Sequence, residues 1–133
     1  MKMSHVMAGA LLIVGSGLAP LAANAQQPGI QRTDLVQHDL SIPAHETVQA
    51  RVEFGPGAIS IKHSHPGEEV AYVLEGSLEY QLEDRAPVTL HAGEALFIPA
   101  GVAHLAKNVG SGKASELATY IVEKGTPLVV AVK

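Results

Sequence analysis

Glycines, prolines and other turn-forming residues interrupt this chain at short intervals from about residue 32 onward. No stretch in this part of the chain shows sustained helical periodicity with capping residues. The segments between the turns are short and apolar, as expected of strands: Leu35–Leu40, Thr47–Phe54, Ile59–His65, Val70–Leu74, Ser77–Leu82, Val88–His91, Ala95–Ile98, Ala103–Asn108 and Leu117–Glu123. Many short strands at this spacing are typical of a sandwich or barrel, so we predict an all-β fold.

Three of these segments differ in how their apolar residues alternate. Thr47–Phe54 and Ser77–Leu82 each place apolar side chains on one face and polar ones on the other, which predicts one buried and one solvated face. Val70–Leu74 is apolar on both faces. This pattern predicts either a subunit interface on one face or a strand that other strands of the domain cover.

A set of metal-binding residue types lies in the middle of the chain. His63 and His65 are two residues apart, so on a β-strand they share a face. Glu69 follows closely, with Glu68 as a competing carboxylate, and His104 comes from a distant segment. Imidazole nitrogens and a carboxylate suit a divalent first-row transition metal.

The glycines and prolines around these residues complete two longer motifs. They read Gly57-x5-His63-x-His65-x3-Glu69-x6-Gly76 and Gly93-x5-Pro99-x-Gly101-x2-His104-x3-Asn108. The chain resembles the cupin superfamily, whose two motifs it matches at all ten defining positions, and within that family the small metal-binding, quercetinase-like members. The motifs occur once, which indicates one cupin unit.

The resemblance implies a cupin double-stranded β-helix, a jelly-roll-like β-barrel. It implies that the first motif spans strands in facing sheets and that the strand of His104 lies beside the His63–His65 strand. It favours Glu69 over Glu68 as the carboxylate ligand. His63, His65, Glu69 and His104 are therefore the predicted ligands of one divalent metal, with Fe, Mn, Ni, Cu, Co and Zn all left open.

The N-terminus reads as an export signal. Lys2 precedes a short apolar run, and small residues ending at Ala25 form a cleavage site. We predict a signal peptide over residues 1–25, a flexible lead-in over 26–34 and a cupin β-barrel domain over 35–133. An uncleaved N-terminal anchor is the alternative. The mature protein is expected to be periplasmic or secreted, with no stable membrane insertion after cleavage.

Charge and composition restrict the partners of the protein. The net charge is −4, there is no cysteine and no run of basic residues occurs, so we expect no nucleic-acid partner. The two-sided Val70–Leu74 strand and the apolar run Leu128–Val132 predict a homodimer, as does the resemblance.

Three functions are compatible with such a site. Three neutral imidazoles and one carboxylate leave a divalent ion with a net charge of about +1, which favours a small-molecule ligand with an anionic oxygen donor. The first reading is a metal-dependent dioxygenase acting on a small enolisable or phenolic substrate, with Glu69 as both ligand and catalytic base. The alternatives are a metal-dependent isomerase or lyase and a non-catalytic small-ligand or metal-binding module.

Overall fold

A computed structural model describes residues 27–133 of the chain. The predicted signal peptide, residues 1–25, lies outside the described residues. Ten strands follow one another along the described part: β1 (Ile30–Asp39), β2 (His45–Phe54), β3 (His63–Ser64), β4 (Glu68–Glu75), β5 (Ser77–Leu82), β6 (Val88–His91), β7 (Ala95–Ile98), β8 (His104–Asn108), β9 (Ala114–Glu123) and β10 (Val130–Ala131). Over residues 27–133, no helix has the length and apolarity needed to cross a membrane.

The strands form two five-stranded antiparallel sheets. One sheet has the order β1-β2-β9-β4-β7, and the other has the order β10-β3-β8-β5-β6. Consecutive strands often lie in different sheets, as β3 and β4 do, so the chain crosses repeatedly between the two layers. The predicted all-β, jelly-roll-like cupin fold is confirmed.

The core lies between the inner faces of the two sheets. In β2, Val48, Ala50, Val52 and Phe54 are buried, and in β5 Leu78, Tyr80 and Leu82 are buried. Both strands therefore have the one-sided burial that their alternation predicts. On the inner face of the first sheet, Ala50 pairs with Ala118, which pairs in turn with Ala71. This row of small side chains leaves room for larger neighbours to meet above it.

Two predicted strand boundaries are wrong. β1 begins at Ile30 rather than at Leu35, and it pairs with β2 from its first residue, Ile30 with Phe54. Residues 30–34 of the predicted flexible lead-in are therefore part of the sheet, because backbone pairing with β2 compensates for their polar side chains. The predicted strand Ile59–His65 is reduced to the two residues of β3, with one isolated bridge between Ile59 and Lys107.

The strand predicted to be apolar on both faces is covered on only one. Ala71 and Val73 of β4 are fully buried, but Val70, Tyr72 and Leu74 are about two-fifths exposed. Val70 pairs with Phe97 of β7, which is also exposed. No other strand of the described domain covers this outer face, so the first of the two sequence alternatives, a subunit interface, stays a prediction.

Candidate metal centre

The four predicted ligands come from three strands in both sheets. His63 lies in β3 and pairs directly with His104 of β8 in the same sheet. His65 follows β3, and Glu69 lies in β4 of the opposite sheet, between Tyr120 and Ile98 in register. The turn after His65 therefore crosses from one sheet to the other, as the resemblance implies. His65, Glu69 and His104 are each more than nine-tenths buried.

The side chains of these residues converge on one point. Ligand atoms of His63, His65 and His104 all lie within 4.8 Å of one another. The carboxylate oxygen Oε2 of Glu69 lies 3.0 Å from Nε2 of His65 and 3.3 Å from Nε2 of His104. Glu68, the competing carboxylate, is exposed to solvent. The geometry thus brings together three imidazoles that could hold a metal ion and one buried carboxylate beside two of them.

Each imidazole is oriented by a backbone carbonyl. Nδ1 of His63 lies 2.7 Å from the carbonyl oxygen of Ile61, and Nδ1 of His104 lies 2.9 Å from that of Val102. Nδ1 of His65 lies 2.7 Å from the carbonyl oxygen of Leu128. A carbonyl can only accept, so Nδ1 carries a proton in all three rings, and each ring presents an Nε2 lone pair whenever it is neutral. Metal-bound histidines are generally held in this way.

The resulting centre needs a cation. Nε2 of His65 and Oε2 of Glu69 are both buried without a hydrogen-bond partner. They are 3.0 Å apart, so with a neutral imidazole two lone pairs face each other, whereas a proton on Nε2 would join them in an ion pair. Buried polar atoms without partners are rare and costly. A divalent metal would accept these lone pairs, so the donor set fits the metal that the sequence predicts.

Burial and mutual interactions shift the protonation of this cluster. Burial lowers the pKa of His63 to about 4, with the neighbouring imidazoles acting in the same direction. Burial alone would raise the pKa of Glu69, but His104 and His65 hold it well below its ordinary value. His63 is therefore neutral and Glu69 ionised at neutral pH, which are the forms that bind a metal.

The loop that carries His65 and Glu69 is packed tightly against β9. A Cβ atom added to Gly67 would lie only 2.0 Å from the carbonyl oxygen of Ile121. The backbone N–H of Gly101 donates to the carbonyl oxygen of His65 at 2.9 Å. Glycine at position 67 thus allows the close backbone approach that places Glu69 opposite the imidazoles.

A second buried polar pair lies beside the metal centre. The hydroxyl of Tyr80 in β5 donates a hydrogen bond to the carboxylate of Glu116 in β9. Burial, together with the charge of Glu69, raises the pKa of Glu116 to about 8. Burial also raises the pKa of Tyr80 well above its ordinary value. At neutral pH this pair is largely protonated, so it can donate a proton.

The metal centre and this pair open into one cavity of about 250 Å³. Ile30, Val52 and Phe54 contribute apolar wall, and Arg32 of β1 and Tyr120 of β9 also line it. Glu116 and Arg32 are not among the site residues predicted from the sequence. Their only sequence signal is a charged residue within an alternating apolar face, such as Ala114-Glu116-Ala118-Tyr120, and recognising it requires the correct strand boundaries.

The family assignment agrees with this geometry. Residues 50–122 match a family model described as a cupin domain. Among curated proteins, germin-like protein subfamily 2 member 2 of Arabidopsis thaliana is 38% identical over 76 residues, which cover 53% of this chain and 35% of the relative. The chain thus spans about a third of the length of that relative.

Solved structures show the same fold. KdgF from Halomonas sp. superposes with a TM-score of 0.58 and 25% identity, covering 71% of this chain and 80% of that one. A cupin-like protein from Thermotoga maritima superposes with a TM-score of 0.65 and 22% identity, covering 77% of this chain and 75% of that one.

Proposed function

Because this chain belongs to the cupin family, we propose that it binds one divalent transition metal through His63, His65, Glu69 and His104 and acts on a small enolisable or phenolic compound. The observation that carries the proposal is that Nε2 of His65 and Oε2 of Glu69 are buried 3.0 Å apart without a hydrogen-bond partner. Such an arrangement is costly unless a cation occupies the centre.

The chemistry follows from the charge of the loaded centre and from its surroundings. A divalent ion would act as a Lewis acid that favours the deprotonated form of an enol or phenol. The apolar side chains of Ile30, Val52 and Phe54 line the same cavity and limit access of water to the reacting group. Glu69 retains its proposed double role as ligand and base.

The Tyr80–Glu116 pair supplies a further proton-carrying group. Its carboxyl lines the cavity, and the raised pKa of Glu116, about 8, is close to the range in which a general acid or base works best at neutral pH. Glu116 can therefore donate a proton to a bound substrate, while Tyr80 stabilises the carboxylate that remains when the proton leaves.

We favour a dioxygenase reaction, and the Tyr80–Glu116 pair also supports a second candidate. A metal-dependent isomerase or lyase moves a proton within its substrate and needs one group that accepts the proton and one that donates it. Glu69 and protonated Glu116 would meet these two requirements, so both reactions remain proposals that one set of measurements separates. Export to the periplasm or the medium is likewise proposed, on the strength of the N-terminal sequence alone.

The test begins with metal content. Wild-type protein and the variant His38→Ala, which changes an exposed histidine of β1, are expected to bind about one metal per chain. His65→Ala is expected to lose most of it, because the remaining donors no longer surround the ion. Equal metal content in all three proteins would overturn the proposed centre.

Turnover then distinguishes the reactions. Protein loaded separately with Mn, Fe, Co, Ni or Cu is incubated with one-ring phenols and small β-diketones while oxygen consumption and solvent deuterium uptake are measured. Oxygen consumption supports the dioxygenase, and deuterium uptake without oxygen consumption supports the isomerase or lyase. Binding of these compounds with neither signal would replace both with the non-catalytic binding module.

A further inference from the structure

Arg32 gives the cavity a cationic group outside the metal centre. Among the described residues that line the cavity, it is the only arginine or lysine. Its side chain is 19% exposed, although it lies in the first strand of the sheet. A largely buried guanidinium is costly unless its charge is compensated, so the groups around Arg32 decide whether its role is purely structural.

Those groups orient Arg32 and offset part of its charge. Nε of Arg32 donates to Oδ1 of Asp34 at 2.9 Å, and Asp34 also lines the cavity, but its side chain is 69% exposed. Water therefore weakens this ion pair. Glu116, the other carboxyl nearby, accepts a hydrogen bond from Tyr80. The ion pair with Asp34 uses only Nε, so the terminal amino groups of Arg32 keep a positive charge at this wall of the cavity.

The orientation of the guanidinium suits a carboxylate. Its central carbon Cζ lies over the ring of Tyr120, 5.5 Å from the ring centroid. With Nε engaged by Asp34, the two terminal amino groups form the planar end of the side chain. That end binds the two oxygens of a carboxylate side by side.

One aromatic ring separates Arg32 from the metal centre. The Tyr120 ring centroid lies 4.7 Å from that of His65 on one side, and the guanidinium lies against the same ring. Ile30, Val52 and Phe54 supply apolar wall in the same cavity. The cavity therefore combines metal-binding imidazoles, an apolar wall and one cationic group, with Tyr120 lying against both His65 and Arg32.

We propose that Arg32 is a specificity-determining residue and that the substrate is a phenolic or enolic acid: its hydroxyl oxygen faces the three imidazoles, and a carboxylate at its opposite end binds Arg32. This inference rests on the proposed function and names the substrate class of the same site. The cavity of about 250 Å³ limits the ligand to a small molecule, such as one aromatic ring with its substituents.

The experiment compares two probes that differ only at the far end. Binding of para-hydroxybenzoate and of para-methylphenol to the metal-loaded protein is measured by isothermal titration calorimetry, with metal content determined on the same samples. We expect wild-type protein to bind the carboxylate probe more tightly. Arg32→Gln should weaken binding of para-hydroxybenzoate by about tenfold or more and leave that of para-methylphenol within about twofold, since only the first probe reaches the guanidinium.

Two further variants serve as controls. Arg51→Gln changes an exposed arginine of β2, outside the cavity lining, and should alter neither affinity. Arg32→Lys keeps the charge without the planar fork and should give an intermediate loss. Thermal unfolding of each variant verifies that it folds.

Each remaining result overturns the proposal in an identifiable way. If the metal is bound and Arg32→Gln changes the binding of both probes equally or of neither, Arg32 does not bind the carboxylate. The proposed function still stands in that case. The same holds if metal-loaded wild type binds neither probe, or binds para-methylphenol as tightly as para-hydroxybenzoate. If wild-type protein holds no metal, the proposed function fails and this inference fails with it.

Discussion

The hydroxyl of Tyr80 in one sheet is hydrogen-bonded to the carboxyl of Glu116 in the other, and both side chains are almost completely buried. This bond joins β5 to β9 across the core. It also places a carboxyl group where solvation of its charged form is poor, and the stability of the protein should therefore depend on the protonation of Glu116.

The first prediction concerns pH. The pKa of Glu116 is raised from its ordinary value of 4.5 to about 8 by burial and by the charge of Glu69. Protonated Glu116 therefore stabilises the folded state fully below about pH 4.5, and this contribution is lost as the pH rises through about 8. In chelator-treated protein, the free energy of unfolding should fall over this range, and Glu116→Gln should show a shallower fall.

Urea denaturation at a series of pH values measures this effect. His104, whose pKa is also raised, contributes a slope of the same sign, so the difference between wild type and variant isolates Glu116. Glu123→Gln, an exposed position on the same strand, should retain the wild-type slope. Parallel pH profiles for wild type and Glu116→Gln would show that burial does not shift this carboxyl.

The second prediction is that replacing Glu69 raises the stability of the metal-free protein and lowers its affinity for metal. In Glu69→Gln, the amide nitrogen can donate to Nε2 of His65 and of His104, which removes the unpartnered lone pairs of the metal-free centre. A buried polar group without a partner costs about 1–3 kcal/mol, so the metal-free variant should gain roughly that much at about pH 9, where the imidazoles are neutral. Its metal affinity should fall, because a neutral amide is a weaker ligand than a carboxylate.

Thermal unfolding of Glu69→Gln with and without metal tests both the expected gain in metal-free stability and the expected loss of metal affinity. Glu68→Gln, which changes the adjacent exposed carboxylate, should have no effect on either quantity. A variant Glu69→Gln that is less stable without metal and binds it as tightly as wild type would contradict the arrangement of lone pairs described above.

The third prediction concerns the close approach of the ligand loop to β9. Gly67→Ala would place a methyl group 2.0 Å from the carbonyl oxygen of Ile121, so the loop must move. We expect a loss of about 1–3 kcal/mol in the free energy of unfolding, as is usual for overpacked sites, and weaker metal binding because Glu69 moves with the loop. Gly112→Ala has nothing within 4 Å of its Cβ and is the matched control.

The fourth prediction concerns self-association. We propose that the protein is a homodimer that pairs through the outer face of β4, where Val70, Tyr72 and Leu74 lie beside Phe97 of β7 and Ile121 of β9. An exposed apolar patch of this kind usually marks a protein interface. Phe97→Glu should therefore yield monomers in analytical ultracentrifugation at micromolar concentration.

Ile42→Glu is the control, because Ile42 is equally exposed but lies in the loop between β1 and β2. It should leave the mass of the wild-type protein unchanged. Monomeric wild-type protein at these concentrations would refute the dimer.

Much of the fold could be predicted because local patterns determine it. Alternation in β2 and β5 indicates which faces are buried, and the two motifs identify the strands that carry His63, His65, Glu69 and His104. These four side chains do converge in the structure, since the motif spacing reflects the register of β3, β4 and β8. What they bind remains a proposal.

The features that could not be predicted from the sequence depend on contacts between distant segments. Arg32 was placed in a flexible lead-in because its neighbours are polar, and only pairing with β2 makes that segment a strand. Glu116 precedes the predicted start of its strand by one residue, so its place on the buried face was not visible. Ile30, Val52 and Phe54 also supply apolar wall to the cavity, and this too depends on the pairing of β1 with β2.

The carbonyl of Leu128, which orients the ring of His65, belongs to the segment that leads into β10. β10 is only two residues long and lies at the edge of its sheet, next to β3. Order in this segment and occupancy of the metal centre should therefore be coupled, and such coupling is reciprocal. A change that releases residues 128–132 from β3 removes the carbonyl partner of His65 and should therefore weaken metal binding.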